Sequence, residues 1–369
     1  MRYYIIAGEA SGDLHGSNLI KEIKKKDPAA AIRCWGGDMM QAAGATLVKH
    51  YRSLAFMGFA EVIKNLPTIF KNLRFCKEDI LSWQPDVLVL IDYPGFNLRI
   101  AAWAKQQGLK IAYYISPQVW AWKENRVKQI RQHVDRMLVI LPFEKKFYQK
   151  WQYPVQYVGH PLIEVIEEEQ RRPAPAALAS KPIIALLPGS RQQEIIKKLP
   201  IMLSVAAKFP DHQFIVAKAP GLAPSFYDGL LSAYNNVSAV SGQTYALLRQ
   251  ARAALVTSGT ATLETALFAV PEVVCYKSSR LSYAIGKRLI RVKYISLVNL
   301  IMDKPVVKEL IQDNLTTANL QQELQDLLYN PQRIAQLTAD YQQLKQLLTE
   351  GGRASANAAA SIVSLAVEK

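Results

Sequence analysis

Ile183-Ile184-Ala185-Leu186-Leu187-Pro188-Gly189-Ser190-Arg191 runs an unbroken apolar segment into a glycine-serine turn, and a helix-like stretch opens directly after it. The same layout recurs where Ala253-Ala254-Leu255-Val256 leads into Ser258-Gly259-Thr260-Ala261-Thr262-Leu263-Glu264. Apolar runs without polar alternation read as strands buried on both faces, and strands feeding helices through tight turns build a parallel α/β sheet. Each turn also leaves the first N–H groups of a helix unpaired at the positive end of its dipole, where glycine lets a phosphate approach. Arg191 adds a cation able to fork onto a diphosphate, and Glu264 lies far enough into its helix to accept from a ribose diol. Gly189, Ser190, Ser258, Gly259 and Thr260 thus point to a nucleotide diphosphate; the alternative is that the hydroxyls cap two ordinary helices.

Outward from these turns the rhythm continues. Short apolar runs at 3–7, 32–35, 87–91, 111–115, 137–141 and 156–158 alternate with helical stretches, and after a polar, proline-containing segment at 167–182 they resume at 183–187, 213–217, 237–240, 253–256 and 273–276. The pattern predicts an α/β protein of two doubly wound, Rossmann-like domains, 1–170 and 171–345, joined by that polar linker. From Thr316 the chain turns Gln/Leu-rich and helical, and the Ala-rich segment within 346–369 reads as a helical tail packing across a domain or dimer boundary. Ligands in such sheets bind beyond the carboxyl ends of the strands, and in two domains those ends can face one another across a central cleft.

With 369 residues, half of them hydrophobic and 20% charged, the chain can fill two cores. No apolar run approaches the roughly 18–20 residues of a membrane span, and the first strand begins at Tyr3 without a charged-then-apolar leader, so a cytoplasmic location is expected. Cys34, Cys76 and Cys275 are widely spaced and read as core residues, not as disulfide or zinc ligands. The net charge of +15 is clustered: Lys277 to Lys308 holds eight Lys/Arg against Asp303 alone, and Lys123 to Lys150 holds eight against three acids. Such clusters imply an anionic partner, whether nucleic acid, an anionic membrane or a phosphorylated substrate, and no DNA- or RNA-binding module accompanies them.

Candidate chemistry gathers in the first half. The turn Ala7-Gly8-Glu9-Ala10-Ser11-Gly12-Asp13 is no dinucleotide fingerprint; its acids would repel a diphosphate, so Glu9, Ser11, Gly12 and Asp13 are expected to meet substrate hydroxyls or a transferring proton. Asp92 ends the run Val87–Ile91, where apolar neighbours would raise its pKa and suit it to accept a proton from an alcohol, or where it would cap the next helix. His15 is the competing base, and His160 is left open. In Ser116-Pro117-Gln118-Val119-Trp120-Ala121-Trp122, Gln118 and the indole of Trp120 are candidates to line a sugar or acyl site. Phe56, Phe59, Val62, Ile63, Leu66, Ile69, Phe70 and Leu73 form an apolar stripe flanked by lysines, suited either to a core or to a lipid interface. No Asp-x-Asp pair or histidine cluster calls for a metal, and no cofactor is expected.

Together these boxes, with Leu141-Pro142-Phe143-Glu144, Val158-Gly159-His160 and Ser296-Leu297-Val298-Asn299-Leu300, closely resemble the lipid-A-disaccharide synthase family of inverting GT-B glycosyltransferases. The resemblance spans nearly the whole chain. It implies that UDP-2,3-diacylglucosamine donates its sugar to 2,3-diacylglucosamine 1-phosphate, giving a β-1,6 disaccharide and UDP. Asp92 and Arg191 match positions expected to be essential, with Glu264 and Asn299 contacting the nucleotide. It further implies work at the cytoplasmic face of the inner membrane and a homodimer that exchanges its C-terminal region. The same nucleotide half would also serve a UDP-N-acetylglucosamine epimerase.

Overall fold

The computed structural model describes residues 1–54, 66–223, 225–289 and 292–368. They form two units: Met1–Pro161 with Leu348–Lys369, and Leu162–Leu347. The domain limits expected at 170 and 345 stand beside these crossings at 161/162 and 347/348.

The first unit is built on β1 (Arg2–Ala7), β2 (Ala31–Gly36), β3 (Thr46–His50), β4 (Val87–Ile91), β5 (Ile111–Tyr114), β6 (Arg136–Val139) and β7 (Gln156–Tyr157), all parallel, in the order β3-β2-β1-β4-β5-β6-β7. Tyr3 to Ala7 are wholly buried because each face of the sheet is covered. Successive side chains take opposite faces: Tyr4 and Ile6 join Leu73, Cys76 and Ile80 of the helix Leu66–Trp83 on one side, while Tyr3, Ile5 and Ala7 meet Leu19, Ile20 and Ile23 of the helix Ala10–Lys26 on the other.

That second layer is completed by the end of the chain. In the helix Ala354–Val367, Ala358, Ala359, Ile362, Leu365 and Ala366 make one apolar stripe at helical spacing and lie in the same core. Arg136 Nη2 pairs with Glu368 at 2.6 Å, and Asn357 Nδ2 donates to Val158 O at 3.2 Å. The tail therefore packs into the first unit.

The second unit repeats the plan with β8 (Ile183–Leu187), β9 (Gln213–Lys218), β10 (Val237–Ser241), β11 (Ala251–Thr257), β12 (Glu272–Tyr276) and β13 (Lys308–Ile311), parallel, in the order β10-β9-β8-β11-β12-β13. The polar stretch 167–182, read as a linker, is tied down. Its first residues finish the helix Pro161–Arg171, and Arg249 donates to the carbonyls of Glu169, Arg172 and Pro173 at 3.0–3.2 Å. Gln250 accepts from Leu178 N at 3.0 Å and donates to Ala176 O at 3.2 Å. Two long side chains thereby satisfy backbone groups that regular structure does not. All three cysteines are buried and free, as their spacing suggested.

Candidate functional site

Both sheets reverse their strand order once, between β1 and β4 and between β8 and β11. At such a point the loops leaving two adjacent strands turn away in opposite directions and open a crevice.

In the second unit Leu187 is in register with Val256, and beyond them the chain diverges into Gly189 and Ser258-Gly259. A cavity of about 210 Å³ lies there. Gly189 has φ +115 and Gly259 φ +152, and a Cβ at 189 would fall 2.7 Å from Glu194 Oε2, so only glycine fits that turn. Gly189, Ser190, Ser258, Gly259, Thr260 and Glu264 all line the cavity. Neither helix beyond the turns, Gln192–Leu203 or Thr260–Leu267, has a side-chain cap. Ser258 Oγ donates instead to Ile295 O at 2.8 Å, and Thr262 Oγ1 to Gly259 O at 2.8 Å. The alternative of ordinary hydroxyl caps therefore does not hold, and both helix starts remain open to an anion. Arg191 is the N-cap of the first helix, 58% exposed, with Nη1 3.5 Å from Glu194 Oε1. Glu264 accepts from Tyr245 Oη at 2.9 Å, which leaves its carboxylate capacity for further donors, and burial raises its pKa.

Lys218, Glu194 and Thr257 also line this cavity and went unnoticed in the sequence. Thr257 Oγ1 is buried without a hydrogen-bond partner among the described residues, which a ligand acceptor would supply. Lys218 and Thr257 end β9 and β11, so the carboxyl-end rule applied strand by strand would have found them.

Asn299 lies apart from this cavity. Its Nδ2 donates to Val307 O and Glu309 Oε1, both at 2.9 Å, and its Oδ1 accepts from Val307 N at 2.9 Å. Glu309 also takes the N–H groups of Ile295 and Ser296. Asn299 thus fixes the segment whose Ile295 carbonyl holds Ser258, a supporting position in place of the expected direct contact.

In the first unit Ala7 is in register with Ile91, and Gly8-Glu9 and Asp92-Tyr93 leave the reversal point together. Asp92 and Tyr93 both have left-handed backbones, φ +44 and +49. Asn97 Nδ2 and Tyr113 Oη hold the strained turn by donating to Asp92 O at 2.8 and 2.5 Å. Gly8 is required because a Cβ there would meet the Tyr93 ring at 2.4 Å. Burial, and next the charge of Glu9, raise the Asp92 carboxyl from 3.8 to about 6.

The neighbouring candidates are less available. Asp13 is 3% exposed, and its carboxylate accepts from Gly37, Met39 and Met40 N at 2.7–3.2 Å; it caps the helix Asp38–Ala42 instead of meeting substrate. His15 is buried, and desolvation lowers its pKa to about 4, so it is a weaker base than Asp92. His160, lowered to about 3 by burial and by His15, is equally neutral. Glu9 is the N-cap of the helix Ala10–Lys26, and Ser11 and Gly12 lie in its first turn.

Beyond β5, Ile115 has φ +67, strain that a β-branched residue shows only under constraint. Ser116 Oγ and Tyr148 Oη lie 2.6 Å apart, and buried Glu144, raised to about 7 by burial, accepts from Ile140 and Leu141 N. Gln118 is exposed at the start of the short helix Val119–Trp122. Trp120 is 8% exposed and packs edge-on to Phe143, so the indole offered to solvent is Trp122, 47% exposed under Lys123 Nζ at 4.3 Å. Of the apolar stripe, Phe56, Phe59, Val62 and Ile63, together with Met57-Gly58, lie outside the described residues; Leu73 is buried and Phe70 is 63% exposed. No helix among the described residues is long and apolar enough to cross a membrane.

The two sheets and their crevices are of the GT-B type, the fold of nucleotide-sugar transferases and epimerases. A UDP-GlcNAc 2-epimerase from Neisseria meningitidis, solved with UDP-GlcNAc bound, superposes with a TM-score of 0.66 at 14% identity over 99% of each chain. A calicheamicin glycosyltransferase gives 0.61 at 16% identity, covering 99% of this chain and 97% of that one. At such identities the likeness is one of fold. A model of the lipid-A-disaccharide synthetase family matches residues 3–364. The lipid-A-disaccharide synthase of Geobacter metallireducens is 40% identical over 360 residues, 95% of this chain and 94% of that one. Lipid-A-disaccharide synthase 1 of Legionella pneumophila is 37% identical over 358 residues, 94% of this chain and 93% of that one. The chain belongs to the lipid-A-disaccharide synthetase family and is a glycosyltransferase of lipid A biosynthesis.

Proposed function

We propose that the protein transfers 2,3-diacylglucosamine from its UDP derivative to the 6-hydroxyl of 2,3-diacylglucosamine 1-phosphate with inversion, releasing UDP. The observation that carries this reading is the pair of crevices at equivalent points of two sheets, one fitted for a diphosphate and one for a proton. In the second unit the diphosphate lies on the open helix starts with Arg191 forked onto it, and Glu264 accepts from the ribose. In the first unit Asp92 takes the proton of the acceptor hydroxyl, whose oxygen attacks the sugar's anomeric carbon opposite the departing UDP. The bond to the diphosphate breaks as the new glycosidic bond forms, and Arg191 and the helix dipoles hold the charge that leaves. Glu9, Ser11, Gly12 and Gln118 are the polar groups proposed to orient the acceptor.

Both lipids are acylated, so the enzyme must meet a membrane. The exposed Phe70 and Trp122, each beside a lysine, are suited to its anionic cytoplasmic face. A homodimer exchanging its C-terminal helix would reuse the contacts that helix makes within one chain. The deciding experiment is UDP release in detergent with both lipids, with the donor alone and with the acceptor alone. Acceptor-dependent release with a disaccharide found by mass spectrometry supports the reading; UDP release without a disaccharide, or no release, overturns it.

A further inference from the structure

Glu194 is an acid in a cavity fitted for an anion. Its Oε1 lies 3.5 Å from Arg191 Nη1 and its Oε2 3.8 Å from Lys198 Nζ, so one carboxylate is shared between two cations spaced along one face of a helix. The two cations differ. Arg191, which directly follows Ser190 of the cavity wall, is 58% exposed, whereas the Lys198 side chain is 3% exposed; neither side chain lines the cavity itself. Burial lowers the pKa of Lys198, and the charge of Glu194 is the largest influence raising it again. Among the described residues Glu194 is also the one carboxylate in an ion pair with it. A buried ammonium with no access to a ligand still acts on that ligand through the charge it neutralises.

We propose that Lys198 is a positioning residue for the diphosphate, a buried counter-charge that cancels Glu194 and leaves Arg191 free to engage the ligand. The proposal rests on the reading of this cavity as the UDP site. With Lys198 in place, Glu194 is divided between two partners, and Arg191 holds it by a single long contact of 3.5 Å. Without it, the full carboxylate charge falls on Arg191 and on the incoming diphosphate. The guanidinium is drawn toward Glu194 and away from the ligand, which also meets a carboxylate no longer offset by a second cation.

Calorimetric titration of UDP into the full-length protein separates the possibilities, with thermal melts run on every variant. Lys198→Met is expected to raise the Kd for UDP about tenfold. Glu194→Gln is expected to bind UDP as tightly as the parent or more tightly, and Lys198→Met/Glu194→Gln restores affinity to within about threefold of the parent. A merely structural ion pair predicts loss from either single change and no rescue. Parental affinity in Lys198→Met, weakened binding in Glu194→Gln, or a double variant no better than Lys198→Met would each overturn the proposal. Where Lys198→Met melts below the assay temperature, the direction of the Glu194→Gln effect decides alone. A parent protein that fails to bind UDP would instead remove the donor-site reading on which the proposal stands.

Discussion

The two units share a strand order and a reversal point, yet the loops leaving those points carry opposite chemistry. In the second unit Gly189 and Gly259 line the crevice, and Arg191 follows Ser190 of its wall as the N-cap of the next helix. In the first, the equivalent loops bring Glu9 and Asp92, and burial, with the charge of Glu9 second, raises the Asp92 carboxyl to about 6. Topology supplies the reversal point in both; on the proposed reading a handful of loop residues decides whether it holds an anion or accepts a proton.

The comparison breaks most directly at Asp92. Asp92→Asn keeps a residue type that tolerates the left-handed backbone and should lower kcat by about 10³-fold or more while leaving the Kd for UDP unchanged. Weakened UDP binding would show that the two crevices are not chemically separate. The parent's kcat/KM should rise with pH through about 6, as the base must be ionised. For stability the sign is reversed. The folded pKa lies above 3.8, so ionising Asp92 costs stability progressively as pH rises from about 4 through 6, and Asp92→Asn should melt higher than the parent at pH 8 and equally at pH 3.

Arg191→Ala sharpens the other half. It should weaken UDP binding and turnover by roughly 10²-fold, with a smaller dependence on salt than the parent shows, measured by calorimetry at two ionic strengths. Gly189→Ala combines a left-handed backbone with a contact at Glu194, and should cost about 1–3 kcal/mol in thermal unfolding together with UDP affinity. The smallest effect belongs to Tyr245→Phe. Losing the hydroxyl that steadies Glu264 should raise the Kd for UDP about fivefold, and an unchanged value would detach Glu264 from the ribose.

The strands that form the two crevices were legible because a parallel strand buried on both faces must be apolar throughout, as Val87–Ile91 is. β3 and β13, Thr46-Leu47-Val48-Lys49-His50 and Lys308-Glu309-Leu310-Ile311, were not foreseen, because edge strands carry polar side chains that mask the pattern. The glycine turns were legible as well, since positive φ leaves few alternatives to glycine. Asp13 was misread for a different reason: its carboxylate is occupied by N–H groups of Gly37 to Met40, which only the fold brings near. Trp120 and Trp122 are alike in sequence, and packing against Phe143 decides which turns inward.

The returning helix Ala354–Val367 bears on the order in which the chain folds. The core of the first unit lacks part of one layer until Ala358, Ile362 and Leu365 have been synthesised, and the whole of Leu162–Leu347 is made before them. At a ribosomal rate of about 5–20 residues per second, that interval is roughly 10–40 s. During it the second unit can close on itself while the first leaves an apolar face of β4, β5 and β6 uncovered, so the unit that begins the chain is the last to be finished.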